Sequence, residues 1–306
     1  MPNQSLKNAT LLAYALLLIG QLSWAGNAIV GRVLLQNMAP LSLSFHRWLL
    51  AFFILLPFTW RDVWVHRQTL QANWLALLLL ATLGIAGYNS FQYLALTATS
   101  VINVVLIASS IPVILLPLSM IFLKERPRWL AIVGVLLSLA GVLLVLAHGQ
   151  WQTLTQLQFA AGDLIMLLSV LCWAGYTILL RTKAPKVPTL VSLTVQMALG
   201  TLVILPFYLL ESSLTNNTIS GFTPTLRNLA ALGYIAVFPS IVAFACWDRG
   251  VRVIGPSRAG MFVNFIPIFA SILAVAFLDE RFHLYHAIAL TLLCSGVALH
   301  NQGRGK

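Results

Sequence analysis

Charged side chains are scarce in this chain of 306 residues: they make up 8% of the sequence, and only seven residues are acidic. Average soluble domains carry about 25% charged residues. Because 59% of the residues are hydrophobic and the mean hydropathy is +0.90, the composition excludes a soluble globular protein. It predicts that most of the chain lies in a lipid bilayer.

Cysteine is also rare, and familiar catalytic motifs are missing. The three cysteines, Cys172, Cys246 and Cys294, all fall in apolar stretches, which argues against a disulfide framework and against a metal site. The sequence contains no GxSxG, HExxH or phosphate-binding glycine loop, and its histidines and acids are scattered, unlike those of an active site. An integral membrane enzyme acting on a lipid-linked substrate is therefore the weaker alternative, and no cofactor is expected.

Long apolar runs dominate the rest of the sequence. A helix crosses the hydrocarbon core with roughly 20 apolar residues, whereas the strands of a membrane barrel alternate between apolar and polar residues. We therefore predict an all-α membrane protein with ten transmembrane helices. The predicted spans lie near 10–31, 41–59, 73–95, 99–122, 129–147, 161–181, 189–210, 228–250, 257–278 and 284–301.

Basic residues are distributed unevenly between the two sides of these spans. With the N-terminus inside, all 18 lysines and arginines fall on the inner side except Arg32, Arg227 and Arg281, which fall outside, and Arg47, which lies within the second span. The positive-inside rule then predicts cytoplasmic termini for a multi-pass protein of a bacterial-type inner or plasma membrane. The net charge of +11 is explained by this orientation and by anionic lipid, so nucleic-acid binding is not expected.

The two halves of the chain follow one plan. The segment SWAGNAIVGR at 23–32 returns as CWAGYTILLR at 172–181, an offset of 149, while Pro112 and Pro267 differ by 155. We predict two repeats of five helices, at 1–149 and 158–306. Because five is an odd number, the second repeat enters the membrane from the opposite side. Inverted repeats of this kind are the structural basis of alternating access in transporters.

Several short motifs recur in order along the chain. They are W-x-x-N in the first helix (Trp24, Asn27), the basic residue Arg47, the run at 93–113 with its twin at 247–268, and KER at 124–126 with DER at 279–281. Together they resemble the ten-helix EamA family of the drug/metabolite transporter superfamily over nearly the whole chain. The resemblance implies a carrier of small metabolites, often an exporter of amino acids or related compounds, that is facilitative or linked to an ion gradient.

Paired helix interruptions are the best sequence pointer to the binding site of an inverted-repeat carrier. Pro112 matches Pro267 in the fourth and ninth helices, and Gly84 matches Pro239 in the third and eighth. Proline removes a backbone donor and disturbs the preceding turn. Each pair is therefore a candidate gating site, with a fixed kink as the alternative.

Polar and aromatic side chains on the same helices are the candidate substrate ligands. The polar candidates are Asn27, Tyr88, Gln92, Asn103, Ser110 and Asn264, with Asn89 and Ser109 beside them, and the aromatic candidates are Trp24, Trp173, Tyr176, Phe244 and Trp247. The alternative for each polar group is a hydrogen bond between helices, and for each ring it is simple packing. The remaining tryptophans, interpreted as interfacial anchors, are Trp48, Trp60, Trp64, Trp74, Trp129 and Trp151.

No carboxylate falls in the middle of a predicted span. Asp248 comes closest, and Arg252, four residues on, predicts a local ion pair. Arg47 lies one to two turns inside the second helix, where it would either extend outward to the interface or attract a substrate carboxylate. The small multidrug antiporters of the same superfamily depend on a central glutamate in the first helix. Residues 20–30 contain no acid, so proton-coupled efflux of hydrophobic cations is disfavoured.

The sequence thus predicts a transporter that binds a small neutral or zwitterionic, amino-acid-like molecule and works by alternating access. A carrier of drugs or choline-like quaternary amines, held by cation–π attraction, is the alternative within the superfamily. A channel is a third reading, for which no ring of filter residues is visible. The expected partners are a small-molecule substrate and the lipid bilayer, and the sequence is compatible with a monomer or an oligomer.

Overall fold

The computed structural model describes residues 2–36, 38–147, 150, 152, 155–156, 160–214, 225–277 and 283–302. Ten helices within this part of the chain are long and apolar enough to cross a membrane. The prediction of an all-α protein with ten spans is therefore confirmed. The DER segment at 279–281, Trp151 and residues 215–224 lie outside the described residues. The last of these ranges falls where the offset between the repeats changes from 149 to 155.

The first half contributes helices α1 to α5. Helix α3 contains a π-helical segment, Ala81–Gly87, and α4 is interrupted at Ser109 and Ser110. The bounds are α1 Pro2–Leu34, α2 Pro40–Val65, α3 Trp74–Ala98, α4 Val101–Ala108 continued by Ile111–Leu123, and α5 Trp129–Leu146, with a short helix Arg67–Ala72 between α2 and α3.

The second half contributes helices α6 to α10 with the same interruptions in the same order. A π-helical segment, Ala236–Val242, lies within α8, and a turn of 3₁₀-helix, Phe262–Phe265, lies within α9. The bounds are α6 Ala161–Thr182, α7 Thr189–Leu214, α8 Leu226–Ile254, α9 Pro256–Phe277 and α10 Leu284–Gln302.

Local sequence explains where several of these helices begin and end. The hydroxyl oxygens of Ser100 and Thr225 accept hydrogen bonds from backbone N–H groups in the first turns of α4 and α8, as N-cap residues do. Gly255 ends α8 with φ of 86°, a left-handed conformation that glycine adopts without a steric penalty. Pro256 then starts α9 directly, where its missing N–H is harmless.

The helices form one bundle with two distinguishable ends. At the terminal end, where α1 begins and α10 ends, the ring of Tyr14 in α1 packs at a tilt against that of Phe262 in α9, and Arg258 of α9 donates to the Asn301 carbonyl oxygen. At the distal end, Glu211 near the end of α7 accepts hydrogen bonds from the backbone of Leu41 and Ser42 in α2. Equivalent helices such as α1 and α6 run in opposite directions, so the two repeats are inverted.

Helices α5 and α10 pack together through glycine. A Cβ on Gly134 would lie 2.5 Å from the Gly296 carbonyl oxygen, and a Cβ on Gly296 would lie 2.6 Å from the Gly134 carbonyl oxygen. Small residues at such an interface let two backbones approach closely. The close contact of α5 with α10 therefore depends on both glycines.

The outer surface of the bundle is apolar, as a lipid-facing surface must be. Four of the tryptophans interpreted as interfacial anchors, Trp60, Trp64, Trp74 and Trp129, are 54% to 67% exposed. Trp48 does not fit that interpretation, because it is fully buried and its ring packs edge-on against Phe244. Its position on the inner face of α2 outweighs its proximity to the start of the helix.

Candidate functional site

A cavity lies in the middle of the bundle, between α1, α3, α4 and α9. Its volume is ≈ 50 Å³, room for a few water molecules at roughly 10 to 15 Å³ each. This central cavity is lined by Trp24, Asn27, Tyr88, Asn89, Gln92, Leu96, Val104, Val105, Ala108, Ser109, Val263, Ile266 and Pro267. Leu96 lies near the end of α3 and Val104 near the start of α4, so the cavity extends from the middle toward the distal end.

The two π-helical segments sit beside this cavity at equivalent positions of the two repeats. Residues 81–87 and 236–242 are related by the offset of 155, and they contain Gly84 and Pro239, which the sequence predicted as paired interruptions. A π-helical turn leaves carbonyl groups without their normal helical partners. Asn89 Nδ2 donates to the Gly84 carbonyl oxygen (3.0 Å), and Ser240 Oγ donates to the Ile235 carbonyl oxygen (2.8 Å).

The interruptions of α4 and α9 form the second equivalent pair. The break at Ser109 and Ser110 corresponds to the 3₁₀ turn at 262–265 by the same offset of 155. Each break is followed within three residues by the predicted proline: Pro112 in α4, which is buried, and Pro267 in α9, which lines the cavity. Both predicted pairs of interruptions are therefore present, on three of the four helices that surround the cavity and on α8.

A fully buried arginine lies one hydrogen bond behind the cavity wall. Arg47 is 0% exposed, so the alternative in which its side chain extends outward to the interface is wrong. Its Nε donates to Ser240 Oγ at 2.6 Å, and its Nη1 donates to three acceptors. These are Tyr93 Oη at 2.8 Å, Asn89 Oδ1 at 3.0 Å and Asn27 Oδ1 at 3.4 Å. Through these bonds Arg47 connects Ser240, in the second π-helical segment, to Asn89, two residues after the end of the first.

Aromatic rings close the cavity on the side of α6 and α8. The Trp24 ring has its centroid 5.2 Å from that of Trp173, 5.9 Å from that of Phe244 and 5.7 Å from that of Trp247. Trp24 Nε1 also donates to the Pro239 carbonyl oxygen at 3.0 Å. Trp173, Phe244 and Trp247 are buried behind it. We call these four residues the aromatic cluster.

Two tyrosines extend the aromatic cluster to α3 and along α6. Tyr88, in the cavity wall, packs at a tilt against Trp173 with centroids 4.6 Å apart, and Tyr88 Oη accepts a long hydrogen bond from Gln92 Nε2 at 3.4 Å. Tyr176 packs against Trp173 at 5.2 Å and lies directly over Gly84. Aromatic pairs contribute about 0.5 to 1.5 kcal/mol each beyond the burial of their surface. These contacts therefore stabilise the position of the rings that form this side of the cavity.

The structure brings only some of the predicted ligands and gating residues to the cavity. Trp24, Asn27, Tyr88, Gln92 and Pro267 line it, whereas the rings of Trp173, Tyr176, Phe244 and Trp247 are behind the wall and Gly84, Pro112 and Pro239 support it from neighbouring turns. The cavity also has six apolar lining residues that the sequence analysis did not single out: Leu96, Val104, Val105, Ala108, Val263 and Ile266. Three of them, Leu96, Val105 and Val263, are four residues from Gln92, Ser109 and Pro267 and so share a helical face with them. That spacing could have identified them from the sequence.

Three of the predicted polar ligands bond elsewhere. Asn103 Nδ2 donates to both carboxylate oxygens of Asp163 at 3.0 Å. Ser110 Oγ donates to the Ile107 carbonyl oxygen at 2.6 Å, and Asn264 Nδ2 donates to Ser138 Oγ at 2.6 Å. The bonds of Asn103 and Asn264 join different helices, as in the alternative that the sequence left open, whereas the bond of Ser110 stays within α4.

Asp163 organises the distal end beside the cavity. Besides Asn103, it accepts hydrogen bonds from Thr99 Oγ1 at 2.6 Å and from the backbone N–H of Ala160 at 2.8 Å. A carboxylate in the first turn of a helix is also favoured by the helix dipole. Asp163 therefore joins the start of α6 in the second repeat to the turn between α3 and α4 in the first.

The other buried carboxylate of the described chain lies toward the terminal end. Asp248 forms an ion pair with Arg252 on the next turn of α8, as predicted. Arg252 Nη1 also reaches the Pro185 carbonyl oxygen between α6 and α7, and Arg181 donates to the Arg252 carbonyl oxygen. No carboxylate lines the central cavity, and the described residues hold no cluster of three or more potential metal ligands.

Both halves of the chain are similar to one known family of proteins. The model of the EamA-like transporter family matches residues 11–147 and again residues 160–302. An "uncharacterized transporter" of Archaeoglobus fulgidus is 28% identical over 286 residues, 94% of this chain and 96% of its own. The "uncharacterized transporter YyaM" of Bacillus subtilis is 27% identical over 233 residues, 76% of this chain and 75% of its own. A solved crystal structure superimposes with a TM-score of 0.75 at 21% identity, covering 96% of both chains.

Proposed function

Since the chain belongs to the EamA-like transporter family and is an integral, multi-pass membrane transporter, we propose that it moves amino acids or closely related zwitterionic metabolites by alternating access. The observation that carries this proposal is the central cavity. It lies where interrupted helices of both repeats meet, and its wall combines aromatic rings with uncharged hydrogen-bonding groups. Substrate sites of inverted-repeat carriers are built in this way.

The interrupted helices give the cavity a means of changing shape. At ≈ 50 Å³ it is too small for an amino acid, so binding requires the wall to move outward. α3, α4 and α9, which form most of the wall, each contain a segment whose backbone departs from α-helical geometry. Such segments can bend at lower cost than a regular helix. Their equivalence between the repeats supports two related conformations that open to opposite ends.

The electrostatics of the site favour a zwitterion over a cation. No carboxylate lines the cavity, while the Arg47 guanidinium lies directly behind Asn27 and Asn89. A positive charge at that distance repels a quaternary amine and attracts an anionic group. The observation that favours the choline-like alternative is the aromatic cluster, because rings attract an ammonium group by about 0.5 to 2 kcal/mol each. An amino acid satisfies both features, since it carries both charges.

The proposal includes an orientation and a direction. With the terminal end in the cytoplasm, the side rich in lysine and arginine is the inner side, as the positive-inside rule requires. The central cavity then extends toward the outer side. We propose net export, which is the direction that the resemblance to amino-acid exporters of this family implies.

Counterflow in proteoliposomes tests the proposed function. Vesicles containing the purified full-length protein are preloaded with an unlabelled mixture of the standard amino acids, and uptake of each labelled amino acid is measured, with choline in parallel. We expect saturable, trans-stimulated uptake of at least one amino acid. Uptake of choline alone supports the alternative substrate, absence of uptake of any amino acid contradicts the proposal, and flux without saturation indicates a channel.

A matched pair of tryptophan variants tests the location of the site. Trp24→Ala removes three ring contacts and the hydrogen bond to Pro239 from the cavity wall. Trp60→Ala removes a ring of the same size that is 54% exposed on α2. We expect Trp24→Ala to raise the substrate concentration needed for half-maximal counterflow and Trp60→Ala to leave it unchanged. Equal effects of the two variants would place the site elsewhere.

A further inference from the structure

Arg47 is a buried positive charge whose partners are all neutral. Among the described residues, its acceptors are the side-chain oxygens of Ser240, Tyr93, Asn89 and Asn27, and its Nη2 has no hydrogen-bond partner. Burying a charge without a counter-ion is unfavourable, because neutral hydrogen bonds replace only part of the lost hydration. A guanidinium maintained in this way calls for an explanation that goes beyond holding the helices together.

The second repeat shows that the architecture does not require this charge. Gln196 stands at the position equivalent to Arg47 by the offset of 149, it is also buried, and its Nε2 donates to Ser192 Oγ at 2.9 Å. α7 therefore occupies the place of α2 in its own repeat with a neutral side chain. The positive charge is a property of the first repeat alone.

Arg47 determines which atoms of Asn27 face the cavity. A guanidinium can only donate hydrogen bonds, so the Asn27 side-chain oxygen must face Arg47, and Tyr93 Oη donates to the same oxygen at 3.3 Å. The Asn27 Nδ2 group is thereby turned away from Arg47, and it makes no hydrogen bond with the other described residues. Asn89 differs, because its Nδ2 is already bonded to the Gly84 carbonyl oxygen. The wall at Asn27 thus offers a free donor beside a positive charge.

We propose that the transported molecule carries a carboxylate and that this carboxylate binds at Asn27 Nδ2 in the central cavity. In this proposal, which rests on the proposed transport function, Asn27 contacts the carboxylate and Arg47 is a positioning residue that orients Asn27 and supplies the compensating charge. The aromatic cluster is then available for the rest of the molecule. The class of substrate is a small monocarboxylate or zwitterion, and amines without an acid group are excluded.

Matched ligands test the carboxylate without altering the protein. Thermal unfolding of the purified full-length protein is followed with L-leucine, L-leucinamide and isoamylamine, and with L-phenylalanine, L-phenylalaninamide and phenethylamine, together with counterflow of the same six compounds. In each set of three we expect the acid to bind at least about tenfold more tightly than its amide or its amine. The reason is that a hydrogen bond to a charged carboxylate is stronger than one to a neutral group. If amides or amines are bound and transported as well as acids, the carboxylate inference fails and the transport function stands. If none of the six is transported and none of the standard amino acids undergoes counterflow, the proposed function fails as well.

Asn27→Asp separates recognition from folding. The substituted carboxylate has the same shape, can accept the same hydrogen bonds from Arg47 and Tyr93, and neutralises the charge while removing the free donor. We expect the folded protein to be at least as stable, the affinity for acids to fall by at least about tenfold, and the amides and amines to be less affected or favoured. The control Asn73→Asp changes an amide near the terminal end whose one side-chain hydrogen bond, among the described residues, goes to the Thr69 carbonyl oxygen. It should alter neither the stability nor the affinity for acids. Equal loss of acid, amide and amine binding in Asn27→Asp would overturn the proposal.

Arg47 variants provide the second arm of the test. Arg47→Lys retains a positive charge. Arg47→Gln removes the charge and introduces glutamine, the residue type found at the equivalent position of the second repeat, Gln196. We expect Arg47→Lys to retain the preference for acids over amides and Arg47→Gln to lose it. A purely structural role for Arg47 would lower thermal stability in both variants without changing the ratio of acid to amide binding, and that result would contradict the assignment.

Discussion

Replacing Gly84 by alanine tests whether the π-helical segment of α3 is closely packed against α6. A Cβ at this position would lie 2.5 Å from Cδ2, 2.7 Å from Cε2 and 2.8 Å from Cγ of Tyr176. Carbon atoms pack at about 3.5 to 4.0 Å, so the tyrosine ring would have to retreat by roughly 1 Å. These atoms belong to the body of the ring, and the ring is fully buried against Trp173 and Phe244.

The expected magnitude follows from two opposing effects. Overpacking a buried site costs about 1 to 3 kcal/mol, and replacing a helical glycine by alanine returns about 0.5 to 1 kcal/mol. Because the Cβ meets the body of a buried ring, the cost lies in the upper half of the overpacking range, about 2 to 3 kcal/mol, and we expect Gly84→Ala to destabilise the protein by about 1 to 2.5 kcal/mol. At roughly 2 °C per kcal/mol for a chain of this length, the melting temperature should fall by about 2 to 5 °C.

Thermal unfolding of the purified protein measures this effect, with Gly233→Ala as the matched control. Gly233 is also a helical glycine of the same bundle, on α8, but a Cβ there would meet nothing within 4 Å. We expect the control to leave the melting temperature unchanged or to raise it slightly. If Gly84→Ala proves as stable as Gly233→Ala, the close contact between α3 and Tyr176 is wrong, and so is the role assigned to Gly84 in supporting the cavity.

Three further outcomes follow from the packing, the distal end and the orientation. Gly134→Ala should lower the melting temperature more than Gly84→Ala, because its Cβ would meet a backbone carbonyl oxygen of α10 at 2.5 Å and backbone cannot rotate away; an equal or smaller loss would contradict this. Asp163→Asn should lower the melting temperature, because the Asp163 carboxylate accepts four hydrogen bonds, each worth about 1 kcal/mol or more. The control Asp62→Asn changes an exposed carboxylate and should leave the melting temperature unchanged. In intact cells expressing a variant without native cysteines, a membrane-impermeant maleimide should label Ser213→Cys and spare Glu125→Cys, and the reverse pattern would invert the proposed orientation.

The architecture could be predicted from the sequence because it depends on features that the sequence displays directly. Ten apolar runs give ten spans, and the offsets of 149 and 155 identify equivalent positions in the two repeats. Gly84 and Pro239 marked the helices that contain π-helical segments, because residues that disturb a helix are conspicuous in an apolar run. The sequence did not predict the kind of interruption, since the extra residue of a π-helical turn has no signature of its own.

The contacts of the polar side chains could be predicted far less well. Asn103 bonds to Asp163, which lies 60 residues away in the other repeat, and Arg47 bonds to Ser240 across 193 residues. Arg47 and Trp48 lie near the start of the second predicted span. That position favoured an interfacial anchor for Trp48 and, as one of two alternatives, an Arg47 side chain that extends to the interface. Both side chains instead lie on the inner face of α2, and the direction of a face depends on how the helices pack.

The paired π-helical segments carry a consequence for the origin of the molecule. One residue added to a helix rotates everything beyond it by about 100°, so such an insertion survives only where its neighbours accommodate the new register. The same insertion at 81–87 and 236–242 is most simply explained by a single event in an ancestor with five helices, before the gene was duplicated. Two copies of that shorter polypeptide would have had to insert in opposite directions to pair as the repeats do now.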